Sequence, residues 1–187
     1  MLERALTTRS YGVIGLGLGG DEVNFPPELF QELFQRAGQS GLHLTAHAGE
    51  VCGPQSIWGA IRILGARRIG HGIHALEDPA LVEYLRGGDI FLDVCPTSNV
   101  CTGAVPNLAA HPVRRLFDQG IPITLSSDDP AIFGTNLVQE YLLLARHFSF
   151  SREELWQISL NGVRASFLPT VEKAALLADF ERANLET

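Results

Sequence analysis

The feature that most constrains this chain is a regular alternation of short β-like apolar runs and stretches of helical period. The runs are Tyr11–Gly19, Leu42–His47, Arg67–Gly70, Ile90–Val94 and Ile121–Ser126. Between the first two, Leu29, Phe30, Leu33, Phe34 and Ala37 share one helical face behind Pro26-Pro27, a pair suited to a helix start. Ile57, Ile61 and Leu64 do the same over about Pro54 to Leu64, and Leu81, Val82 and Leu85 over about Asp78 to Leu85. Further helices are predicted over about His111–Asp118 and Thr135–Arg146. Another follows the capping box Ser151-Arg152-Glu153-Glu154, and a last one begins near Thr170. Residues 96–110, PTSNVCTGAVPNLAA, read as a loop. Strands joined by helical crossovers run parallel, with right-handed connections. Five β units are present, whereas a closed (β/α)8 barrel needs eight strands in about 250 residues. A partial barrel and an open parallel sheet are therefore both compatible with the pattern.

The ends of these runs carry polar residues: His47-Ala48-Gly49-Glu50, Gly70-His71-Gly72 and Asp128-Asp129-Pro130. In α/β barrels the C-terminal strand ends are where chemistry is assembled. A neutral imidazole at His47 is a natural Zn²⁺ ligand. For a lone histidine a hydrogen-bonded core role is the commoner case. Glu50, just past it in a glycine-containing turn, shifts the balance toward catalysis, although an acid there could also serve a helix N-terminus. His71 between two glycines could orient or deprotonate a water. Adjacent carboxylates at Asp128 and Asp129 would repel unless they serve different partners, one a cation and one a substrate N–H. Asp129 before Pro130 could instead cap a helix.

The remaining histidines do not complete a metal shell. His43 shares a face with His47 but lies roughly 13 Å away along an extended strand. His74, His111 and His147 read as structural. Cys95 and Cys101 do not make the P-C-x-x-C of the cytidine-type zinc deaminases, HAGE is not their H-x-E, and the cysteines read as packing residues. Gly20, within LGLGGDE, lacks a dinucleotide-binding register and reads as a place where a ligand or backbone comes close.

Composition removes whole classes. Acidic residues number 21 against 14 basic, a formal net charge of −7, which argues against a nucleic-acid surface. No apolar run approaches the ~20 residues of a membrane span. MLERALTTRS has no apolar core of a signal peptide. Three cysteines make no disulfide framework, so a reduced, cytoplasmic compartment is expected.

Taken together and in order, Gly20-Asp21-Glu22, TAHAGE (45–50), RIGHG (68–72), CPTSN (95–99), His111-Pro112, SSDDP (126–130) and Glu140-Tyr141 are specific. The chain resembles the adenosine deaminase family of the metal-dependent amidohydrolase superfamily. The resemblance implies an α/β fold of parallel β/α units, a partial TIM barrel of roughly strands four to eight with C-terminal helices. Residues 1–187 would form a single incomplete (β/α)8-type deaminase domain. It implies that His47 and Asp128 bind Zn²⁺. Glu50 would protonate purine N1, and His71 would hold and help activate the attacking hydroxide. Asp129 would contact N7, and Gly20 would contact N3. The reaction implied is hydrolysis of a 6-aminopurine nucleoside, adenosine to inosine plus ammonia.

Two details bear on this. Adenine deaminases of the family tend to carry Asp where this chain has Gly70, which disfavours adenine. GPQSIW (53–58), PTSN and FGTNL (133–137) are similar to aminofutalosine deaminases, an alternative on the same ring. The family's H-x-H pair, two further zinc ligands, occurs nowhere in this chain. The expectation is therefore a truncated or split protein, inactive alone. Its exposed sheet edges would invite self-association or an N-terminal half. A non-catalytic purine-binding remnant is the other outcome.

Overall fold

The structure, a computed structural model, describes residues 1–185. Five strands form one sheet: β1 (Gly15–Leu18), β2 (His43–Ala48), β3 (Arg68–His71), β4 (Phe91–Val94) and β5 (Ile123–Leu125). All four pairings are parallel, and the spatial order is the chain order, β1-β2-β3-β4-β5. A doubly wound sheet reverses its order at a switch point. This sheet never does, so it is a run of consecutive barrel staves, and the open-sheet alternative falls away.

Ten α-helices accompany the sheet among the described residues. They are α1 (Leu2–Thr7), α2 (Gln31–Gln39), α3 (Pro54–Arg62), α4 (Pro79–Leu85) and α5 (Pro96–Cys101), then α6 (Val113–Asp118), α7 (Pro130–Phe133), α8 (Leu137–Phe148), α9 (Arg152–Ala165) and α10 (Thr170–Leu185). Pro27–Phe30 forms a tight 3₁₀ turn before α2. Local chemistry starts several of them. Asp78 caps α4 by accepting from the Ala80 N–H at 2.9 Å. Asn136 caps α8, accepting from the Gln139 N–H at 3.0 Å. Ser151 and Glu154 form the expected reciprocal capping box of α9. No described helix is long and apolar enough to cross a membrane.

Several elements depart from the sequence pattern: β1 begins at Gly15 while Arg9–Tyr11 is a 3₁₀ turn, Pro130–Phe133 is a short helix, and two further helices were not expected. Leu2–Thr7 is helical and packs against β1. Pro96–Cys101 is a helix rather than the start of a loop. Pro96 sits at its first turn, where a missing N–H costs nothing. The polar Thr97-Ser98-Asn99 hid the signal because these residues usually mark turns.

Register explains how the sheet faces two environments. Leu18, Ala46, Ile69, Leu92 and Ile123 stand in one row across the five strands. The last four are buried and belong to the apolar core with Ile57, Leu81, Leu116, Leu144 and Ile158. Each large apolar side chain so buried contributes about 1.5–3 kcal/mol. The alternate row is His47, Gly70, Asp93 and Thr124. Successive strand residues point to opposite faces, so this polar row lies on the barrel-interior side. Within it Arg68 donates to Asp93 Oδ2 at 3.0 and 2.8 Å, and Thr124 Oγ1 donates to Asp93 Oδ1. At the far edge Asn161 of α9 donates to the Ile123 carbonyl of β5 at 3.0 Å, covering one exposed edge group.

Candidate active site

Because all strands are parallel, every predicted site residue arrives at one end of the sheet. Gly20 follows β1, His47 and Glu50 lie at and just past the end of β2, and His71 ends β3. Cys95 follows β4, and Asp128 and Asp129 follow β5.

His47 needs room, and Gly70 provides it. The two are register partners, and a Cβ at Gly70 would stand 2.7 Å from His47 Cδ2. His71 departs from the alternation of β3. Its φ is +66°, in the left-handed region, as is that of Asp128 at +55°. Non-glycine residues there cost roughly 1–3 kcal/mol and cluster at functional sites. The turn at His71 ends the pleat and brings its ring edge-on to His47, with ring centroids 4.9 Å apart. His47, His71, Cys95, Ser126 and Asp128 line one cavity of about 240 Å³.

Glu50 Oε2 lies 3.3 Å from His71 Nε2. Its Oε1 accepts from Asn99 Nδ2 at 3.2 Å and Thr102 Oγ1 at 3.1 Å. Burial pushes the His71 imidazole below its ordinary value, against the pull of the Glu50 carboxylate. Asp128 Oδ2 accepts from Ser98 Oγ at 2.7 Å. The donor atoms of His71, Cys95 and Asp128 lie within 4.8 Å of one another. Burial drives the Cys95 thiol far above its usual range, and it donates to the Asp93 carbonyl at 3.4 Å. Imidazole nitrogen, carboxylate oxygen and thiol sulfur are all donors that Zn²⁺ accepts.

Gly20 has φ +121° with open space where a Cβ would be. It borders a second, apolar cavity of about 250 Å³, lined also by Leu16, Leu18, Phe25 and Phe34. His47 lines both cavities and so divides them. Asp129 is exposed at the rim; its side chain makes no helix-cap hydrogen bond, although it occupies the cap position of α7. His43 stacks on Phe167, and His74 pairs with Glu77 at 2.6 Å, away from the cluster.

Four residues here lie in motifs of the sequence that gave them no role of their own. Ser98 and Asn99 lie on the helix that the pattern took for a loop, and His111 was read as structural. The fourth is Glu22, named in the sequence only as part of the Gly20-Asp21-Glu22 motif. Its carboxylate accepts from four successive backbone N–H groups. Glu50, Val51 and Cys52 lie at 3.2, 2.9 and 3.1 Å, and Gly49 is the fourth. Burial would raise this carboxyl, but the Ser56 side chain and the backbone N–H groups together outweigh it and hold it below the usual range. Glu22 therefore clamps the turn that carries Glu50. Glu22→Gln is expected to destabilise the chain by about 1–3 kcal/mol, because a charged acceptor is replaced by an amide that also presents a donor. Urea denaturation measures it, and an unchanged midpoint would remove the clamp.

Comparison with known proteins bears on this geometry. The family model for adenosine deaminase matches residues 1–183. An adenosine deaminase of Klebsiella pneumoniae is 46% identical over 173 residues, covering 92% of this chain and 52% of that protein. One of Escherichia coli is 45% identical over 164 residues, covering 88% and 49%. The chain thus spans about half the length of the curated relatives it matches. Among solved structures, an adenine deaminase from Arthrobacter aurescens superposes with a TM-score of 0.90 at 36% identity, covering 97% of this chain and 56% of that one. An amidohydrolase from Burkholderia ambifaria with bound Zn gives 0.89 at 28%, covering 97% and 52%. Both the sheet order and this end-on cluster sit within a match over nearly the whole chain, and the chain belongs to the adenosine deaminase family.

Proposed function

We propose that this chain is the catalytic and substrate-holding side of a zinc-dependent deaminase of 6-aminopurine nucleosides, converting adenosine to inosine and ammonia. The observation that carries the reading is the convergence of His47, His71, Glu50 and Asp128 at one end of five parallel strands. In this reading residues 1–187 are one incomplete (β/α)8-type domain.

His47 and Asp128 would hold the metal, with His71 beside them. Bound zinc would supply a water of lowered pKa and polarise the reacting centre. Water adds at C6, the C6–N6 bond breaks, and ammonia leaves. Glu50 carries a proton to ring N1, which makes C6 more electrophilic. His71 holds the attacking oxygen. Asp129 contacts the ring at N7, and Gly20 lets the ring approach the backbone at N3. The apolar cavity beside Gly20 suits a planar base. Ser98 holds the Asp128 carboxylate, and a partner of this kind orients a metal ligand.

Two zinc ligands remain to be supplied, since no H-x-H occurs in the chain. The test adds the remaining barrel strands of a full-length relative, in trans or by fusion, with zinc, and follows adenosine to inosine. Turnover supports the reading. No turnover with adenosine or with an aminofutalosine substrate overturns it.

Gly70→Ala tests the role of His47. The new Cβ would push its ring out of place, and zinc affinity is expected to fall about tenfold, as for losses of ligand support generally. The thermal midpoint should hold. Metal titration of the completed enzyme reads this, and an unchanged affinity would take His47 out of the shell.

A further inference from the structure

Behind Glu50 and His71 runs a buried chain of polar groups that the proposed chemistry does not use. The Val113 backbone N–H meets His111 Nδ1 at 3.1 Å. His111 Nε2 meets Asn99 Oδ1 at 3.1 Å. Asn99 Nδ2 meets His71 Nδ1 at 3.1 Å, and the same amide nitrogen reaches Glu50 Oε1 at 3.2 Å. His71 Nε2 then faces Glu50 Oε2 at 3.3 Å. His71, Asn99 and His111 are 1%, 0% and 4% exposed, so bulk solvent does not reach this chain.

The direction of this chain is not free. A backbone N–H can only donate, so His111 Nδ1 must be the acceptor. A neutral imidazole has one acceptor and one donor nitrogen, so His111 Nε2 carries the hydrogen. Burial holds His111 in the neutral form, dropping its pKa to about 4. Its Nε2–H requires the oxygen of the Asn99 amide, which turns the NH₂ group toward Glu50 and His71. A carboxylate is acceptor-only, so the Glu50 end demands the same orientation. Asn99 spends one hydrogen on Glu50 and the other on His71 Nδ1. His71 is then left with its own hydrogen on Nε2.

We infer that Asn99 and His111 are positioning residues, which with the Val113 N–H form a one-way hydrogen-bond chain that sets His71 as the Nε2–H tautomer aimed at Glu50. The inference rests on the reading of Glu50 and His71 as the working pair of the site. Its consequence is that Nδ1 is engaged by Asn99 and His71 presents only its Nε2–H side to the site. The fixed amide also presents Glu50 in one orientation.

The test observes ring protons directly. The 187-residue chain, isotope-labelled at histidine nitrogens and free of metal, is studied by NMR at neutral pH, with signals assigned through His71→Gln and His111→Gln. Both rings are expected to carry hydrogen on Nε2 and none on Nδ1. In Asn99→Asp the amide donor is lost, so His71 should lose its neutral Nε2–H form, while His111 keeps its own because Val113 still holds Nδ1. A hydrogen on His71 Nδ1 in the unaltered chain would overturn the proposal, as would an unchanged His71 in Asn99→Asp. If Asn99→Asp fails to fold, the tautomers of the unaltered chain decide alone. Turnover is not part of this readout, so expected tautomers with an inactive completed enzyme would count against the deaminase reading and not against the chain.

Discussion

Glu50→Gln in the completed barrel is expected to lower kcat by about 10²–10⁴-fold with KM nearly unchanged, the usual range for loss of a positioned acid or base. Glutamine is close in shape and keeps an oxygen for Asn99 and Thr102, which both reach Glu50 Oε1. The backbone of residue 50 stays clamped by Glu22. What glutamine lacks is a proton that can be given and regained. The effect should therefore fall chiefly on the chemical step, with a smaller loss of stability because the glutamine NH₂ takes the place of Oε2 against the His71 Nε2–H. Steady-state kinetics with adenosine, beside a thermal melt, measure both. A kcat within tenfold of the parent would remove Glu50 from the proton-transfer role.

The second large effect is on stability in acid. Burial holds His111 neutral with a pKa of about 4, below the ordinary 6.5. The unfolded chain therefore binds a proton more readily than the folded one. Stability from this group is complete above pH 6.5 and declines as pH falls toward 4, where the native ring finally protonates. The gap between the two values corresponds to about 3 kcal/mol. His71 shifts in the same direction and for the same first cause, so it adds to the loss. Against a typical domain stability of roughly 5–15 kcal/mol, this is a large fraction. Urea denaturation across this range should show the decline, and His111→Gln should flatten it. A midpoint that does not move between neutral pH and pH 5 would contradict the buried neutral histidine.

Some of this molecule is legible locally. The five strands stand where apolar runs of the right length occur, and the polar residues at their ends are nearest neighbours of those runs in sequence. The capping box at Ser151 works because its two partners are three residues apart. Elements whose identity depends on distant contacts were not legible. Helix α5 has no apolar stripe. It is held by the buried Glu140, whose carboxylate accepts from the Thr97 N–H at 3.2 Å across 43 positions. Glu22 acts 27 to 30 positions away, and a glutamate bonded chiefly to backbone leaves no pattern of side chains to detect.

The sequence by itself determined the architecture class and the candidate residues. Alternating period dictates parallel β/α units, and strand-end polar residues must gather at one end of a parallel sheet. Tertiary structure decided how those residues work together. Strand order distinguished staves of a barrel from an open sheet, because order is a matter of which edges meet. The left-handed backbone at His71 and Asp128, the room that Gly70 leaves for His47, and the chain from Val113 to Glu50 arise only when separate segments are packed together. The physical reason is that hydrogen-bond direction and side-chain clearance are properties of pairs, and the members of these pairs lie on different strands and helices.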